Sequence, residues 1–169
     1  MSAKQTTYAL DREASFEGML HDTRDVLIIG MKNDSGGELA YGKVVCQSAS
    51  DSNFMIEAAD GAVVAGVLVH SHDEEKNETG LSDDAYGNVL QRGIVWVRVE
   101  EAVTIDDTPM VRLVASVDYG VGSILVTADP LNTAPLSGMR FMRSADADEL
   151  VPMYVNLSAP IVLVEEPEP

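Results

Sequence analysis

The stretch Gln91-Arg-Gly-Ile-Val-Trp-Val-Arg-Val-Glu100 decides how the fold reads. β-Branched and aromatic residues dominate it, and Gly93 is its one weak point, so it reads as a strand. Side chains alternate along a strand, which sets Val95, Val97 and Val99 on one face and Ile94, Trp96 and Arg98 on the other. Both faces are largely apolar. The expectation is a central strand covered on both sides, with Val95, Trp96 and Val97 in the core of an all-β domain.

Working outward, residues 103–105, 110–115, 123–127, 138–143 and 150–157 read as further strands, with turns at Asp106-Asp-Thr-Pro109 and Asp118-Tyr-Gly-Val-Gly122. Pro152 marks the strand at 150–157 as an edge. Residues 161–164 read as a short final strand. Upstream, residues 26–31, 39–47, 54–58 and 62–70 are apolar runs, and Asp60-Gly61 is a tight-turn signal that would pair the last two as a hairpin. Residues 71–84, with six acids and one lysine, read as an exposed loop. Eight to eleven short strands without a convincing helix predict a single β-sandwich or barrel-like domain of short antiparallel strands over residues 26–164. Residues 1–25 read as an extended N-terminal arm, and residues 165–169 as an acidic, proline-rich tail.

Charge narrows the function classes. The 169 residues hold 11 Lys and Arg against 28 Asp and Glu, a formal charge of -17. A duplex nucleic-acid binder needs a basic face, and an anionic membrane surface repels such a chain. The charge suits docking onto a basic partner. It is unevenly spread: residues 1–32 carry -1 and the remainder -16. The arm has apolar anchors at Tyr8, Leu10, Phe16 and Met19 without strand or helix periodicity. Two placements are open for it, on a partner or on its own domain. Cys46 excludes an internal disulfide and reads as a small buried hydrophobe. No apolar run is long enough to span a membrane, and the N-terminus has no signal core, so the expected site of synthesis and residence is the cytoplasm or an assembly built there.

No constellation supports catalysis. His70 and His72 share a strand face and suggest a metal pair, as in the cupin enzymes. A cupin glutamate is missing at the required spacing, where Lys76 and Asn77 stand, and no third histidine follows His72. The serine-nucleophile signature GxSxG is absent, and neither Gly36-Gly37 nor Gly120-Val-Gly122 has the lysine and following helix of a phosphate loop. The reading is no enzyme, no cofactor and no metal. Two alternatives remain: a metal-dependent cupin-like barrel using His70 and His72, and a ligand- or glycan-binding β-sandwich of a virion.

Gly18-Met19 with Asp22, Tyr41-Gly42 before Val44-Val45, Ala65-Gly66-Val67 before a polar loop, Tyr86-Gly-Asn-Val89, Gly93-Ile-Val-Trp-Val97 and Met139-Arg-Phe141 occur in a telling order. In these features the chain resembles the bacteriophage capsid cement, or head decoration, proteins over about residues 16–157. The resemblance implies a structural virion protein, made in the host cytoplasm and placed on the outer surface of a tailed-phage head. It implies binding across capsomer boundaries to the phage major capsid protein and resistance to the pressure of packed DNA. Other copies of the chain are further expected partners, a trimer favoured and a dimer possible, without direct contact to nucleic acid or membrane.

Overall fold

The computed structural model describes residues 15–70, 79–129 and 131–164. Among these the fold is all-β, with twelve strands: β1 Leu20–Asn33, β2 Leu39–Ala40, β3 Val44–Gln47, β4 Phe54–Glu57, β5 Val64–Val69, β6 Gly80–Leu81, β7 Tyr86–Arg98, β8 Met110–Arg112, β9 Ile124–Leu125, β10 Thr133–Pro135, β11 Arg140–Phe141 and β12 Leu150–Asn156. The main sheet runs β1-β4-β3-β5-β7-β12-β11, and β1 also pairs with β7. Strands β1, β4, β3, β5 and β7 therefore close into a five-stranded ring. All these pairings are antiparallel except β1–β4.

The opening stretch is the hinge of this architecture. β7 pairs along one side with β1, from Leu20↔Val95 to Lys32↔Tyr86. Its other side is shared: Asn88 to Leu90 pair with β5, and Arg92 to Arg98 pair with β12. A long strand with apolar residues on alternating positions can serve two neighbours in succession, and Gly93 lies in the second half, where the ring gives way to β12.

Two cores result. The ring encloses Met31, Val45, Met55, Ala65, Leu68 and Val89, one or more from each of its five strands. Outside the ring wall, Val44, Val67, Leu90, Val95, Val97, Phe141 and Met153 pack with Val111, Ile124 and Ala134 of the small β10-β8-β9 sheet. The strand covered on both faces is thus β5, whose six residues are all buried, rather than the Trp96 segment of β7. Val95 and Val97 are fully buried, but Trp96 is only half-buried on the outward face. The charged Arg98 on that same face was the sequence signal for its exposure.

Other expectations also shift. The Asp60-Gly61 turn does not form a hairpin: β3 lies between β4 and β5, and the turn instead meets the C-terminal segment, with Gly61 N–H donating to the Leu163 carbonyl at 2.8 Å. β12 is not the sheet edge, because two-residue β11 covers part of it. Trp96 directs its backbone groups toward Gly18 and Met19, so its partner Pro152 points its nitrogen the other way, to the end of β11, where few ladder bonds remain. The strand expected at 103–105 reduces to a bridge at Val103. Within the expected acidic loop, Gly80–Leu81 pairs with Leu39–Ala40, and Leu81 is 5% exposed as part of the ring core. Residues 20–25, read as arm, lie in β1 beside β7.

Candidate functional site

The N-terminal segment enters the body through a close backbone crossing. Residues 16–19 form a turn, with the Met19 N–H donating to the Phe16 carbonyl at 3.1 Å and Gly18 at φ 80° in the left-handed region. Gly18 lies against Tyr41-Gly42, and Gly42 is also left-handed at φ 77°. A Cβ on Gly18 would stand 2.8 Å from Tyr41 Cβ and 3.0 Å from Gly42 N. A Cβ on Gly42 would stand 2.9 Å from Gly18 N. Only two glycines permit this approach. Both pairs, Gly18-Met19 and Tyr41-Gly42, were conspicuous in the sequence, but nothing there showed that they touch.

Hydrogen bonds fix the crossing to β7 and to the residue that follows β5. Gly18 N–H donates to the Trp96 carbonyl at 2.8 Å, Trp96 N–H to the Met19 carbonyl at 2.9 Å, and His70 N–H to the Gly18 carbonyl at 3.0 Å. Glu17 is held between Lys43 at 2.9 Å and Arg98 at 3.5 Å. The His70 ring packs 5.3 Å from Phe16 and 4.7 Å from Tyr41. Phe16 and Met19 are each 39% exposed in the single chain, outside both cores. Tyr8, Leu10 and His72 lie outside the described residues, so the His70–His72 pair is not placed.

The outward face of β7, β12 and β11 was not foreseen. Arg143 lies over the Trp96 ring at 5.1 Å, with His21 on the same indole at 5.3 Å, and Arg140 lies over Tyr154 at 5.3 Å. The alternation of Met139 and Phe141, both buried, with Arg140 between them marks Arg140 as outward-facing but not the ring beneath it.

Elsewhere the polar groups serve the fold. Arg112 forms a two-pronged pair with Glu100, one bond at 2.7 Å, with Glu100 6% exposed. Tyr119 donates to Asp148 at 2.7 Å; that bond and burial push its hydroxyl up to about 12. Burial pushes the Cys46 thiol up to about 11, which suits a core residue and not a nucleophile.

Residues 4–156 match the family model described as "Structural cement protein (E217 gp24/Pam3 gp6)". The chain belongs to this phage cement protein family. It is accordingly a structural virion protein associated with the phage capsid. Among solved structures, a chain in "The capsid of Myoviridae Phage XM1" superposes with a TM-score of 0.69 at 13% identity, covering 92% of this chain and 98% of that one. A chain in "The crystal structure of head fiber gp8.5 N base in bacteriophage phi29" gives 0.48 at 12% identity, covering 83% and 99%. At these identities the XM1 likeness concerns the fold. No curated protein matches the sequence.

Proposed function

We propose that this cement protein sits on the outer surface of a tailed-phage head, binds the major capsid protein across capsomer boundaries and stabilises the shell without catalysis. The observation that carries the reading is the arm root. Two glycines and an ion-paired Glu17 pin residues 16–19 to the body, and Phe16 and Met19 remain half-exposed at this root. Tyr8, Leu10, Phe16 and Met19 are the proposed anchors on a neighbouring subunit. A near-neutral segment can approach the shell while the acidic body is steered to a basic rim. Several copies on a symmetric lattice, as trimers or dimers, gain avidity from weak single contacts. The packing of the His70 ring against Phe16 and Tyr41 supports a structural use for it over the cupin-like alternative.

The test is deletion of residues 2–14, read by melting of the free protein and by occupancy on expanded heads lacking the wild-type copy. Normal melting with reduced occupancy is expected. Unfolding of the free protein would place the segment in its own core, and full occupancy would make it a passive tail.

A further inference from the structure

Basic groups are scarce in this protein, and half of those described share one face. Of the eight Lys and Arg among the described residues, Arg92, Arg98, Arg140 and Arg143 belong to the outward side of β7, β12 and β11. The opposite side of these strands is core, with Val95, Val97, Val151, Met153 and Val155 fully buried. Arg92 and Arg98 are matched by Asp25 and Glu17. Arg140 and Arg143 have no carboxylate at ion-pair distance among the described residues. Each instead lies over an aromatic ring, a cation–π arrangement that leaves its outer N–H groups available to an acceptor. Arg143 spends one N–H on the Leu150 carbonyl at 3.0 Å, which holds it in place.

Two Arg-over-ring stations form a receiver for a peptide carrying carboxylates beside prolines. Prolines pack on aromatic rings in a polyproline conformation, and arginines take the carboxylates. The chain has such a segment: Glu165-Glu-Pro-Glu-Pro169. The spacing agrees. Tyr154 pairs with Ile94, two residues from Trp96. One strand spacing across and two residues along put the rings about 8 Å apart. In a polyproline conformation, residues three apart point the same way at about 9 Å, and Glu165 and Glu168 have that separation in sequence.

The tail starts beyond Val164, and the preceding Leu163 is tied to the 59–64 turn by its N–H to the Ala62 carbonyl at 2.9 Å. Val64 N–H meets the Ile161 carbonyl at 2.8 Å, and Leu157 N–H the Gln91 carbonyl at 2.9 Å, so the chain leaves the end of β12 before it reaches this turn. Trp96, opposite Pro152, is about 17 Å back along β12 from Leu157. Glu165 follows Val164 directly, so the tail of the same copy would meet a station only if Val164 lay beside it, and the neighbouring Leu163 is instead tied to the 59–64 turn.

We infer that the Arg140–Tyr154 and Arg143–Trp96 face receives the Glu165–Pro169 tail of a neighbouring copy, linking copies head to tail. Such a heterologous contact closes a ring or continues along a lattice, according to the rotation it imposes. Two exposed arginine contacts hold weakly in solution and gain from repetition on a shell. Nothing in this inference requires head attachment.

Three full-length proteins test it: wild type, Arg140→Gln/Arg143→Gln, and Glu165→Gln/Glu166→Gln/Glu168→Gln. Trp96, the sole tryptophan, reports contact directly. Emission and sedimentation of the wild type should change with concentration, and added salt should reverse the change. Each variant alone should lose the change, and a mixture of the two should recover part of it, because one retains the tail and the other the face. A synthetic peptide of residues 163–169, titrated against the glutamine-tail variant, should perturb Trp96 saturably, with at least tenfold weaker binding once both arginines are replaced. Concentration-independent wild-type behaviour, no recovery on mixing, or equal peptide binding without the arginines would each overturn the inference. Its failure leaves head occupancy untouched, and loss of head occupancy by the residue 2–14 deletion leaves this solution contact untouched.

Discussion

Replacing Gly18 with alanine tests the arm root most directly. The left-handed backbone costs an L-residue about 1–2 kcal/mol that glycine does not incur. The new methyl would stand 2.8 Å from Tyr41 Cβ and 3.0 Å from Gly42 N, neither of which is the free end of a flexible side chain. Relieving such an overlap adds about 1–2 kcal/mol. The expected loss is about 2–4 kcal/mol, or roughly 5–15 °C in Tm for a domain of this size. Gly30→Ala, in β1, the strand just after the crossing, is the control: no atom lies within 4 Å of its would-be Cβ. It should change stability by less than about 1 kcal/mol, and in the stabilising direction. Denaturant unfolding of both variants, with Gly42→Ala and the Gly18/Gly42 double variant, gives the coupling. The double variant should cost less than the sum, because a crossing already forced apart by one methyl accommodates the second. Gly18→Ala melting with the wild type, or strict additivity with Gly42→Ala, would refute the crossing as the root of the arm.

Phe141→Ala, at a site 2% exposed, should cost about 3–5 kcal/mol, whereas Trp96→Ala, half-buried, should cost less than Phe141→Ala; paired denaturation curves check the order. Arg112→Ala leaves Glu100 charged and nearly buried without its partner, and should lose about 3–5 kcal/mol in the same assay. Tyr119 is held neutral in the fold up to about 12, above the ordinary value of 10.0. Its contribution is therefore complete below pH 10 and lost as pH rises toward 12, so the alkaline fall in Tm should be shallower in Tyr119→Phe. Cys46 should resist alkylation at pH 8 in the native state and react promptly in denaturant, measured by mass spectrometry.

The sequence pattern exposed the all-β class because alternation and turn residues are local signals. The same locality limited it. Phe54–Glu57 and Val64–Val69 look like hairpin partners because a turn joins them, but β3 takes the place between, a choice made by packing of Val44, Val45 and Cys46 into two separate cores. Trp96 looked central because aromatic residues favour cores, yet β5, with small Ala65 and Gly66 among its apolar residues, fits between two packed layers. The arm root was invisible because Gly18 and Gly42 make their contact across 24 residues of chain. The Arg140 and Arg143 stations were invisible for a related reason: a charged residue on an exposed strand face looks the same whether or not a ring from another strand lies beneath it.

The pairing of β1 against β7, from Tyr86 to Val95, has a mechanical consequence. A pull on the chain at residue 15, directed along β1 away from the body, loads the cross-strand bonds of β1 and β7 side by side and not one after another. The first bonds reached are those from Gly18 and Met19 to Trp96; behind them stand the pairs of Leu20 and Asp22 and, past the bulged residues 23–26, the ladder from Leu27 to Lys32. Rupture then requires several bonds to fail together, in shear, while a pull across the sheet would peel them singly. The same protein would thus be stiff to tension in the plane of the strands and yielding to tension perpendicular to it.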